Sequence, residues 1–166
     1  MIKVFIWDYK NLDMVGHASL EVKGHYISWW PNTETGVPDK TINHLPIGLR
    51  NKFNLDESIF SAMPIFKRTF NDDKKSEKRG PDRVIIIKGL DEKSIILWWK
   101  TFGIIGKMQG PPQSWDTLQM NCSTVVATAL KHGGGDKYSH VFSSKKIVWT
   151  PNNVWRYANS IKYNLK

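Results

Sequence analysis

A chain of 166 residues fits one domain, and its 40 % hydrophobic share, with eight tryptophans, excludes wholesale disorder. Its longest apolar runs, 84–87 and 95–99, fall far short of the roughly 18 residues a membrane-spanning helix needs, and a single cysteine excludes an internal disulfide. The net charge of +9 favours anionic partners, but the lysines are scattered without a zinc-finger spacing or a ribonucleoprotein motif. An anionic surface is therefore a possible contact, and nucleic acid is not an expected partner.

At the N-terminus, Ile2, Val4 and Ile6 alternate with Lys3, Phe5 and Trp7, which predicts a strand. The segment reaches Asp8 before an apolar run of signal-peptide length develops, so the chain is expected to be cytoplasmic or exported by a dedicated secretion system. Residues 17–22 and 25–30 flank Lys23-Gly24, a two-residue hairpin connection whose glycine tolerates positive φ. That turn pairs Val22 with His25, Leu20 with Ile27, Ser19 with Ser28 and His17 with Trp30. Strand alternation then sets His17, Ser19, Glu21, Tyr26, Ser28 and Trp30 on one face, and Ala18, Leu20, Val22, His25, Ile27 and Trp29 on the other.

Pro31 ends the hairpin, and a loop-rich insertion is expected over about 32–83, with a short helix around 56–63 and a charged, mobile loop over 67–83. Because this segment leaves the hairpin directly after Trp30, it is expected to border the site. Val84 to Ile87 reads as a buried strand, followed by a helix from about Ser94 to Phe102 with Asp91 as its N-cap. Past a loop rich in glycine and proline, Cys122, Val125, Val126, Ala129 and Leu130 form a helical stripe that Gly133-Gly134-Gly135 terminates. Ile147 to Trp149 reads as a short strand. Thr150-Pro151 then opens a last helix that turns Val154, Tyr157, Ala158 and Ile161 inward. There is no internal repeat, so residues 1–166 are read as one domain.

Cys122 stands at the first turn of its helix, where unsatisfied N–H groups and the helix dipole favour thiolate over thiol, below the free-cysteine pKa of about 8.5. A thiol nucleophile also needs a base, a group to orient that base, and donors for an oxyanion. His17 is the candidate base. Spacing alone leaves open the alternative that Cys122 is a small buried apolar residue. Asn121 caps the helix or donates toward substrate, and Trp30, beside His17, is assigned to the substrate wall. His25 falls on the opposite strand face, while His44, His132 and His140 fall in loops or at a helix end. No histidine pair has the spacing of a helical zinc motif, and no metal or cofactor is expected.

Asn121-Cys122-Ser123-x-x-Val126 resembles the Asp-Cys-Ser-Gly-x-Val helix start of NlpC-like cysteine peptidases. Gly16-His17-Ala18-Ser19-Leu20, a short turn and Tyr26-Ile27-Ser28 resemble their histidine hairpin. Histidine precedes cysteine here, an order similar to the circularly permuted branch of the papain-like superfamily that includes lecithin:retinol acyltransferase-like proteins. The resemblance implies an α+β, papain-like core in which an antiparallel sheet carries the base and a helix carries the nucleophile. It assigns Cys122 as nucleophile, His17 as base, and the third polar position to the second hairpin strand near Ser28, where histidine, asparagine or glutamine is usual. The expected activity is hydrolysis of an amide bond, in peptide or peptidoglycan, through a thioester, with Cys122, His17 and Ser28 catalytic and Trp30 and Asn121 against substrate. The same reading suits a bacterial effector or toxin delivered by a dedicated secretion system, with an inhibitor or immunity protein as a further partner. The alternatives are an acyltransferase or lipid hydrolase on the same fold, acting on an acyl substrate, and a non-catalytic basic binding module.

Overall fold

The computed structural model describes residues 1–11, 16–29, 68–102, 104–105, 108–109, 121–139 and 148–165. Four strands form one antiparallel sheet: β1 (Ile2–Trp7), β2 (His17–Val22), β3 (His25–Ile27) and β4 (Arg83–Ile87), in the order β3-β2-β1-β4. Four α-helices accompany them among the described residues: α1 (Phe70–Ser76), α2 (Glu92–Thr101), α3 (Cys122–His132) and α4 (Pro151–Asn164). The fold is α+β. Ile104–Ile105 and Met108–Gln109 form a separate two-stranded ladder, and Gly135–Tyr138 is a 3-10 turn.

The hairpin has the register its turn dictates, with Leu20 opposite Ile27, Glu21 opposite Tyr26 and Val22 opposite His25. Lys23 and Gly24 both take positive φ, +46° and +78°, as a type I′ connection requires. The second strand stops at Ile27, short of the expected Trp30, which lies outside the described residues. β1 runs through the middle of the sheet, with Trp7 opposite His17 on one side and Val4 opposite Ile85 on the other.

Period-two alternation gives the sheet two different faces. Ile2, Val4, Ile6, Ala18, Leu20, Ile85 and Ile87 point to one side and are buried in one cluster with Val125, Val126, Leu130, Val154, Tyr157 and Ile161 of α3 and α4. Each fully buried Leu, Ile or Val contributes about 1.5–3 kcal/mol, so this layer supplies the main driving force for the fold. The opposite face carries Phe5, Trp7, His17 and Tyr26. Phe70 of α1 covers it, with ring centroids 4.8 Å from Phe5, 6.1 Å from Trp7 and 6.2 Å from Tyr26.

Three expectations are corrected. β4 is buried on one face only, because Ile85 and Ile87 enter the core while Val84 and Ile86 stay exposed. The charged stretch 67–83 is not a plain loop, because Thr69 and Asp72 form a reciprocal capping box that starts α1, and Phe70 anchors the helix to the sheet. Val148 and Trp149 are not in a strand. Their carbonyls accept hydrogen bonds from the Asn153 and Asn121 side chains, which hold the chain in the irregular entry to α4. The short helix expected over 56–63 lies outside the described residues.

Candidate active site

The site is assembled where α3 begins. Asn121 is extended, and its side-chain oxygen accepts from Thr124 N–H at 3.0 Å while Thr124 Oγ1 accepts from Asn121 N–H at 3.3 Å. This reciprocal cap fixes Cys122 as the first helical residue and leaves the N–H groups of Cys122 and Ser123 outside the capping bonds. Asn121 Nδ2 donates to Trp149 O at 3.0 Å, so both ends of its amide serve the helix start. Cys122 is buried, with 7 % of the residue exposed. The backbone N–H of Ala18 and the ring of His17 both act on the sulfur in the direction of thiolate.

His17 opens β2, and Gly16 sets it there. Gly16 has φ +85°, and a Cβ would come within 2.9 Å of Trp7 O and 3.0 Å of Tyr9 N, so only glycine lets the strand start this close to β1. The His17 ring packs against its cross-strand partner Trp7 at 5.5 Å between centroids. Its Nε2 is 3.0 Å from Asp73 Oδ2 and 3.0 Å from Ser28 Oγ. Nε2 is thereby committed to the carboxylate and the serine.

Asp73, on the inner side of α1, is the residue that sequence reasoning missed. It is fully buried, and its two oxygens accept from His17, from Tyr26 OH at 2.7 Å, from Ser28 Oγ at 2.9 Å and from Arg68 Nε at 3.2 Å. Ser28 thus sits on the expected strand face but links the histidine to the carboxylate that orients it. A signal for Asp73 was present in Thr69-x-x-Asp72, a capping-box spacing. On the helix it starts, Phe70, Asp73 and Glu77 fall on one face.

Burial disfavours every charge in this group, and the charges offset that cost by facing one another. Burial works against a protonated His17, but the adjoining Cys122 and Asp73 charges and hydrogen bonds override it and raise the ring to about 10. Burial pushes the Cys122 thiol up, and the His17 charge and hydrogen bond bring it down below its ordinary value. Asp73 likewise falls below the usual carboxylate range, because His17, Tyr26 and Ser28 outweigh its desolvation. Burial, with the Asp73 charge, raises Tyr26 and keeps the phenol a donor. Each of the three shifts runs in the direction of thiolate, imidazolium and carboxylate in sequence.

A family model for the IcsB middle domain matches residues 48–166. The chain belongs to the IcsB middle-domain family. The matched region contains Asp73 and Cys122, while His17 lies before it. The chain is also similar to multifunctional-autoprocessing repeats-in-toxin proteins of Vibrio vulnificus and of Vibrio cholerae serotype O1, with 30 % identity over 79 residues in each case. That stretch covers 47 % of this chain and only 1 % and 2 % of the two toxins. No solved structure matches it significantly.

The other sequence-predicted positions are placed as follows. Trp30 lies outside the described residues, and the ring contact to His17 is made by Trp7. His25 is half-buried beside the hairpin turn, His132 stacks on Trp98 at 5.2 Å, and His44 and His140 are outside the described residues. Among the described residues no group of three His, Cys, Asp or Glu side chains is arranged to hold a metal ion, and no helix is long and apolar enough to cross a membrane.

Proposed function

We propose that this IcsB middle-domain protein is a papain-like thiol catalyst of acyl transfer, with Cys122 as nucleophile, His17 as proton carrier and Asp73 as the residue that orients and charges His17. The buried chain of contacts from Cys122 through His17 to Asp73, drawn from three separate elements, carries the proposal. A lone buried cysteine needs neither a paired imidazole nor a carboxylate behind it, and burying all three charges is costly unless each serves the next.

The Cys122 thiolate attacks a carbonyl carbon, and the carbonyl π electrons move to oxygen. The resulting oxyanion lies toward the N–H groups of Cys122 and Ser123 at the positive end of α3. As the intermediate collapses, the C–N bond of an amide breaks, and His17 gives its proton to the departing amine. Water then attacks the thioester, losing a proton to His17 and returning the thiolate. Asp73 holds the imidazolium in register throughout. The substrate read from the NlpC-like helix start is a peptide or peptidoglycan amide. The similarity to segments of two toxins supports a bacterial effector or toxin as the setting.

A second reading keeps the first half of this cycle and replaces water by another nucleophile, or the amide by an acyl ester. The basic outer side of α1 favours it, since that charge suits work at an anionic membrane. Intact-mass spectrometry after exposure to peptides, peptidoglycan fragments and acyl lipids separates the two readings. A peptide-derived adduct on Cys122 supports the amidase and a fatty-acyl adduct supports the acyl-ester reading. No adduct from any of them, with Cys122→Ala indistinguishable from the wild type, refutes both.

A further inference from the structure

The outer side of α1 and the turn behind it form an open groove lined by Asn71, Lys74, Lys75, Lys78, Arg79 and Gly80. Arg79 is engaged with Asp82 and Glu77. Among the described residues no carboxylate lies within ion-pair distance of Lys74, Lys75 or Lys78. Asp72 is close enough to feel Lys75, but its Oδ2 accepts from both the N–H and the hydroxyl of Thr69. The Lys74 ammonium sits over the Phe70 ring, 5.1 Å from its centroid, a cation–π contact that holds the charge at the inner margin of the groove.

Lys78 adds a third lysine to the groove at the end of α1. The helix ends in a Schellman motif, with Arg79 N–H on Lys74 O at 3.1 Å and Lys78 N–H on Lys75 O at 3.2 Å. Lys78 occupies its left-handed position at φ +55°, where glycine is the unstrained choice. The chain keeps a third cation in the groove at the expense of local stability.

Beside this groove the sheet is not fully covered. Val84 and Ile86 of the edge strand β4 are 49 % and 44 % exposed. They pair with Phe5 and Lys3, so they project on the same face of the sheet as α1. Aliphatic side chains next to unpaired lysines match a bilayer, in which the lysines meet anionic headgroups and the aliphatics enter the interface. A phosphodiester backbone has no use for the aliphatic pair.

We propose that the outer face of α1, with Val84 and Ile86, is a docking surface for an anionic lipid bilayer. Because the inner face of the same helix supplies Asp73, docking there would bring the bilayer against the element that orients His17. The proposal is independent of the acyl-transfer reading, since binding is measured equally on wild type and Cys122→Ala.

The test is co-sedimentation with vesicles of phosphatidylcholine alone and of phosphatidylcholine with phosphatidylserine. Expected is binding to the anionic vesicles only, lost as salt rises, and weakened about a hundredfold in Lys74→Gln/Lys75→Gln/Lys78→Gln. Val84→Ser/Ile86→Ser should weaken it with the lysines intact. Lys78→Gly keeps the fold in view: it should raise the melting temperature by about 2–4 °C while weakening vesicle binding about fivefold. Equal binding to neutral vesicles, full displacement by millimolar inorganic phosphate, or tighter binding to single- or double-stranded nucleic acid than to the anionic vesicles overturns the proposal.

Discussion

Asp73 and His17 are 56 residues apart in sequence and 3.0 Å apart in space, Oδ2 to Nε2, with neither side chain more than 1 % exposed. The carboxylate engages Nε2 of the ring and supplies charge that favours imidazolium. Ser28, the expected third member, bonds to both, and so supports the pair without replacing the carboxylate.

Asp73→Asn keeps the shape and removes the charge, so the imidazolium loses support and the thiolate fraction falls. Iodoacetamide labelling of Cys122 near neutral pH should slow at least tenfold, and turnover of any substrate found should fall by about two to four orders of magnitude. Ser28→Ala leaves the direct contact between Asp73 and His17 and should cost less than tenfold in either measurement. Equal losses in the two variants would return Ser28 to the orienting role.

His17→Ala should shift the labelling profile of Cys122 to higher pH. The wild-type thiol titrates below its ordinary value because of the His17 charge and hydrogen bond, and both vanish in the variant. Rates followed from about pH 5 to 10 show the displacement directly. Superimposable profiles would mean that the two side chains are not coupled in solution.

Acid stability follows from Asp73. Its folded pKa lies below the ordinary 3.8, so the stability it contributes is complete above that value and is lost as pH falls through the depressed folded one. His17 has the opposite sign: raised from 6.5 to about 10, its contribution is complete below 6.5 and disappears as pH rises toward 10. Thermal melts should therefore drop in acid below about pH 4. Asp73→Asn should be less stable at neutral pH and flatter through the acid range. An unchanged acid slope in the variant would assign it to other carboxylates.

Gly16→Ala should cost at least about 1–3 kcal/mol, because positive φ and the backbone of Trp7 and Tyr9 both oppose a Cβ. Since Gly16 sets the start of β2, labelling of Cys122 should slow as well, even well below the melting temperature. A folded variant with undiminished labelling would show that His17 is positioned from Trp7 and Ser28 alone.

The parts of the site that local chemistry writes were readable. Asn121 before Cys122 announces a capped helix start, and Lys23-Gly24 fixes a hairpin register that sets His17 and Ser28 on one face. The same local rules were available for α1 in Thr69-x-x-Asp72. Dense charge around it, in Lys74, Lys75, Glu77, Lys78 and Arg79, masked the signal and made a helix resemble a solvated loop.

By itself the sequence determined strands, caps and turn, because those depend on side-chain alternation and on hydrogen bonds within a few residues. It also named Cys122 and His17 as the groups to bring together. Only the tertiary structure decided that Asp73, and not the hairpin, supplies the carboxylate. The reason is that α1 has no stability of its own at seven residues. Phe70 seats it on the sheet, and the buried acceptors of Asp73 find donors on β2, β3 and the segment that follows as well as on Arg68 just before the helix.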